Sequence, residues 1–213
     1  REALERLRDI DRASSNWAGV ANAAARLLPL TEGEEQVHMA LLLADSCEAA
    51  GMGPEARSGL EYVAGLQPES EEVRERLKRL YDEIGANREL ANLLLHEASM
   101  VGESDPERAF ALSREAGKIL IERENDAEAA LPALAQAAQA KPDDHETLVL
   151  LADGYIGAQY FSEAGELLEQ AIQNHPKRRS PELSELQERM ANLASAAGDR
   201  NLEMQWLDAA VES

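Results

Sequence analysis

The chain has 213 residues, with 21 Lys and Arg against 41 Asp and Glu, a formal net charge of −20. Hydrophobic residues at 44% exclude a disordered chain, and aromatics at only 4% leave the core to Leu, Ala, Val and Ile, which suits closely packed helices. The charge excludes a surface for DNA, RNA or anionic lipid, because phosphates need Lys and Arg to neutralise them.

In chain order, Leu4, Leu7 and Ile10 recur at three-residue spacing, and Trp17, Val20, Ala24 and Leu28 follow on a second helical face. Residues 1–36 therefore read as a degenerate N-terminal helical hairpin. Thr31-Glu-Gly-Glu-Glu is expected to cap the next helix. From residue 37 a two-helix unit recurs five times, at about 37–70, 71–104, 105–144, 145–178 and 179–213, as one continuous array.

Three independent registers mark these units. The turn between the two helices falls at Gly51, Gly85, Asn125, Gln159 and Gly198, at intervals of 34, 40, 34 and 39 residues. The middle of each second helix is a leucine: Leu60, Leu94, Leu134, Leu168 and Leu207. The end of each first helix holds Cys47, Tyr81, Ile121, Tyr155 and Ala194, and Pro68, Pro142 and Pro176 close units. The two long intervals contain Asp105-Pro106 and Ser180-Pro181, each a capping residue before a first-turn proline, so each insertion lengthens a loop and leaves the helices intact.

The pattern resembles the tetratricopeptide repeat (TPR) family over roughly residues 37–213. His145–Pro176 fits best, through Leu148, Leu151, Ala152, Tyr155, Ala164, Leu168, Ala171 and Pro176. Departures are Lys78 and Glu97, where the family has small residues, and Gly117-Lys118, where it has a large and a small one. The resemblance implies an all-α fold: a right-handed superhelical solenoid of antiparallel helix pairs, about twelve helices in all. With no Met before Arg1, the chain is expected to be a piece of a larger bacterial TPR protein.

The resemblance also implies a concave wall made by the first helix of each pair. On this chain the wall would comprise His38, Leu41, Asp45 and Glu48; then Glu72, Glu75, Arg79 and Asp82; then Glu146, Val149, Asp153 and Ile156; then Glu185, Glu188, Asn192 and Ser195. Family members that clamp a peptide carboxylate use Lys and Asn at such places. Here only Arg79 and Asn192 remain of that clamp. From His145 to Pro176 there are five acids and no Lys or Arg, and from Thr31 to Pro68 seven acids against Arg57. Such a wall predicts a basic or amphipathic protein or peptide partner. The plainer alternative is that these acids keep the protein in solution.

No catalytic constellation emerges. His38, His96, His145 and His175 form no HExxH pair, no glycine-rich phosphate loop exists, and the single Cys47 rules out both a disulfide and a thiolate zinc site. Cys47 reads as a packed, inert thiol in a slot that elsewhere holds Tyr or Ile. Lys177-Arg178-Arg179 is too short for a nucleic-acid site. No apolar run is long enough to span a membrane. The expectation is a non-catalytic, cytoplasmic interaction scaffold with no cofactor and no metal. Two alternatives stand beside it: self-association, end to end or face to face, and, less favoured, an all-helical enzyme or small-molecule binder with a closed pocket.

Overall fold

The computed structural model describes residues 1–213 as twelve α-helices with one 3-10 turn after the second. They are α1 (Glu2–Ala13), α2 (Trp17–Leu27), α3 (Gly33–Ala49), α4 (Gly53–Leu66), α5 (Glu71–Ile84), α6 (Asn87–Val101), α7 (Pro106–Glu122), α8 (Ala127–Ala140), α9 (His145–Gly157), α10 (Phe161–Asn174), α11 (Pro181–Ala196) and α12 (Arg200–Glu212). They form two compact bodies, Arg1–Ala86 and Asn87–Ser213. Within each body, helices consecutive in the chain pack on one another, and in the second α9 also packs on α7 and on α11.

The register rests on turn chemistry. All five expected turn residues have left-handed backbone: Gly51 φ 70°, Gly85 φ 70°, Asn125 φ 52°, Gln159 φ 64° and Gly198 φ 82°. Ser15, between α1 and α2, joins them at φ 56°. The residue after each left-handed one sends its amide back five residues: Asn16 to Asp11, Met52 to Cys47, Ala86 to Tyr81, Tyr160 to Tyr155 and Asp199 to Ala194, at 2.8–2.9 Å. This bond satisfies a carbonyl that the helix end leaves open, and only a left-handed residue permits it. At Asn125 the bond reaches one residue further, from Asp126 to Leu120 at 2.9 Å. Asn16, Asp126 and Asp199 then cap the second helix by accepting from its first-turn amides.

The leucine register is the core. Leu60, Leu134 and Leu168 are fully buried and Leu94 is nearly so, each contributing about 1.5–3 kcal/mol by area. Around Leu168 lie Ala152 and Ala164 from its own pair and Leu186, Met190 and Leu193 from α11. Leu207, in the same position of α12, is 40% exposed.

The departures from the family pattern have local reasons. A Cβ on Gly117 would lie 2.5 Å from the Leu134 side chain, so the glycine makes room for that leucine. Glu97, in a small-residue slot, is buried but paired with Arg108 of α7 at 2.5 Å. Asp105 and Ser180 cap α7 and α11 as expected, accepting from Arg108 and Leu183 amides at 3.1 and 3.2 Å. Thr31 does not cap α3. It is buried, and its hydroxyl donates back to Leu28 carbonyl at 2.8 Å, closing the 3-10 turn; Glu32 precedes α3 without a side-chain cap.

Candidate interaction surface

The expected wall residues lie on α3 and α5 in the first body and on α9 and α11 in the second. On α3, His38, Asp45 and Glu48 are exposed and Leu41 is half-buried; on α5, Glu72, Glu75, Arg79 and Asp82 are exposed. On α9, Glu146 is exposed while Asp153 and Ile156 are half-buried; on α11, Glu188, Asn192 and Ser195 are exposed and Glu185 is half-buried. Val149 is a correction. It is 6% exposed and sits in the core with Ala152, Ala164 and Leu168, because its position on α9 faces the neighbouring helices.

The acids are not bare. Arg76 of α5 reaches α3 and donates to Asp45 at 2.7 Å and Glu48 at 3.0 Å. Burial alone would lower its pKa, but these two carboxylates outweigh that and raise it. In the second body Arg189 of α11 donates to Asp153 of α9 at 2.9 Å and lies 3.5 Å from Glu185. Burial pushes the Asp153 carboxyl above its ordinary range, and Arg189 only partly restores it. Counted from the left-handed turn residues, Arg76 and Arg189 occupy one register position, and Asp45 and Asp153 occupy another. The same ion pair therefore occurs twice, each time tying one first helix to the next.

Other cations complete the pattern. Lys118 and Arg114 of α7 each approach Glu146 to 3.1 Å, and Arg114 also holds Asp144. Burial raises the Asp144 carboxyl, but the Thr147 hydroxyl and amide and Arg114 prevail and hold it below its ordinary range. His145 bonds Glu185 at 2.7 Å. Arg76, Arg114, Lys118 and Arg189 were not among the expected site residues, since their partners stand about thirty residues away in sequence. Their net effect is to leave the wall only mildly acidic, although Asp45, Glu75 and Glu188 keep more than half of their side chains in solvent.

A second feature lies off the wall. The loop carrying Lys177, together with α9, α10 and the start of α11, lines an open cleft of about 670 Å³. Leu148, Leu167 and Leu186 line it, with His145 and Lys177 among its polar groups. Its sequence signal was the insertion after Pro176. Cys47 is fully buried and burial pushes its thiol pKa up, as a packed, unreactive thiol requires. No group of three or more His, Cys, Asp or Glu side chains is placed to hold a metal ion. No helix is long and apolar enough to cross a membrane.

A tetratricopeptide repeat family model matches residues 123–198, which hold the turn at Asn125, the whole of α8–α11 and the turn at Gly198. Residues 123–198 are thus similar to tetratricopeptide repeats. Solved structures share the fold. The nearly identical TPR-like repeats assigned to a kinesin light chain of Podosopora anserina align at 22% identity and a TM-score of 0.56, over 85% of this chain and 96% of that one. MamA from Desulfovibrio magneticus RS-1 aligns at 17% identity and 0.51, over the same shares. BtubC from P. vanneervenii aligns at 18% identity and 0.51, over 99% of this chain and 90% of its own. No curated protein sequence matches the chain. At these identities the likeness is one of fold, and a TPR-type fold suggests protein–protein interaction or a scaffold role.

Proposed function

We propose that the chain is a non-catalytic scaffold that holds a polypeptide partner against the first-helix surface of either body. The observation that carries this reading is the repeated Arg–Asp pair. It fixes the wall side chains in place between helices while leaving carboxylate edges in solvent, and a pre-ordered surface loses less freedom when a partner binds. Affinity then rests on apolar anchors such as Leu41 and Ile156, with Glu72, Glu75 and Glu188 favouring a basic or amphipathic segment. Because cations already face many of the acids, salt weakens binding less than the formal charge of −20 suggests.

The test is fluorescence anisotropy with a panel of Lys/Leu-patterned amphipathic peptides and their Glu/Leu counterparts. The reading predicts selective binding of the basic set, weakened several-fold by Glu72→Lys combined with Glu188→Lys, with helicity unchanged. Equal binding of both sets, or indifference to the double reversal, contradicts it.

A further inference from the structure

One nine-residue pattern occurs three times: Glu2-Ala-Leu-Glu-Arg-Leu-Arg-Asp-Ile10 in α1, Glu72-Val-Arg-Glu-Arg-Leu-Lys-Arg-Leu80 in α5 and Glu185-Leu-Gln-Glu-Arg-Met-Ala-Asn-Leu193 in α11. All three stand at the same distance from their left-handed turn residues, Ser15, Gly85 and Gly198. In α5 the apolar members Val73, Leu77 and Leu80 are at most 5% exposed, and in α11 Leu186, Met190 and Leu193 pack around Leu168 of the preceding helix. The arginine in each case reaches back to an Asp on the preceding first helix. The pattern is thus that of a helix seated on an earlier pair.

In α1 the residues that match the buried apolar ones and the reaching arginine of α5 and α11 face solvent. Ala3 is exposed, Leu7 is 43% and Ile10 65% exposed, and Arg6 pairs only along its own helix with Glu2, with both side chains about three-quarters exposed or more (76% and 79%). The complementary surface is equally uncovered. On α12, Leu207 is 40%, Met204 58% and Val211 88% exposed, although Leu168, which matches Leu207, is fully buried beneath α11. On α11, Asn192 is exposed at the register position that Asp45 and Asp153 use to receive an arginine.

We propose that α12 of one copy receives α1 of a second copy, in the manner in which α10 receives α11. Leu7 and Ile10 of the incoming helix cover Leu207 and Val211, and Arg6 donates to Asn192. Both orphaned faces are explained by a single contact. The contact is heterologous, so a pair of copies keeps one free α1 face and one free α12 face, and association continues head to tail. Of the wall it uses only Asn192, at one end, so a monomeric chain would overturn this contact and leave the peptide-binding reading intact.

The test uses the whole 213-residue chain in sedimentation velocity over a concentration series. Species beyond the dimer are expected to grow with concentration. Leu7→Glu with Ile10→Glu, and separately Leu207→Glu with Val211→Glu, should each give a monomer with unchanged helicity. Mixed one to one, the two variants should form a dimer that does not extend, because one intact α1 meets one intact α12. Arg6→Glu, on an exposed side chain paired only with Glu2 of its own helix, should weaken association about tenfold. A chain monomeric at every concentration, a variant that still assembles, or a mixture that stays monomeric overturns the proposal.

Discussion

Helices α1 and α11 share a sequence pattern and differ in what they touch. In α11 the pattern is used up: Leu186 and Met190 are buried, and Arg189 spans to Asp153. In α1 the matching Leu7, Ile10 and Arg6 are exposed, and α1 packs on α2. The pattern is therefore not what folds a hairpin. It is what joins one pair to the pair before it, and a helix can carry it without using it.

That contrast can be broken at matched positions. Leu168→Ala should cost about 2–5 kcal/mol, because α11 cannot close over the cavity, whereas Leu207→Ala should cost less than about 1 kcal/mol. Denaturant unfolding of both variants measures this, and equal losses would refute the difference in cover. Arg189→Gln should cost about 1–3 kcal/mol by leaving the half-buried Asp153 without its cation, whereas Arg6→Gln should stay within about 0.5 kcal/mol. Chemical melts in low and high salt separate the two.

The pH dependence of stability sharpens the picture. Asp144 has a folded pKa held below the ordinary 3.8, so its stabilisation is complete above that value and is lost as pH falls through the lower folded one. Asp144→Asn should flatten the acid limb of a plot of Tm against pH. Asp153 has the opposite sign. Its folded pKa is raised, so its ionisation favours the unfolded chain, and its contribution declines as pH rises from about 3.8 through the folded value. Asp153→Asn should remove that decline. A small effect of opposite sign is expected at Gln159, a non-glycine residue at φ 64°, where Gln159→Gly should stabilise by up to about 1 kcal/mol in thermal melts.

The turns and the core were legible in the sequence because each depends on one residue type at one place. Gly51, Gly85 and Gly198 announce left-handed backbone, and Leu60, Leu134 and Leu168 repeat with them. Asn125 and Gln159 were found by spacing from those glycines. Ser15 was missed for want of a leucine at the matching place, where α2 has the small, fully buried Ala24. The wall was less legible. Its acids could be read, but not the arginines that meet them, since pairing across helices depends on how one helix lies on another. Val149 was misplaced for the same reason. The shared pattern in α1, α5 and α11 was the available signal for Arg76 and Arg189.

Hydrogen exchange of the whole chain at low and high concentration tests the central claim most directly, namely that α1 is a joining helix received by α12 of a second copy. Amides of α11 should be protected at both concentrations. Amides of α1 and α12 should exchange faster when dilute and gain protection together as concentration rises. Protection of α1 that equals that of α11 when dilute, or that never changes with concentration, would contradict the account.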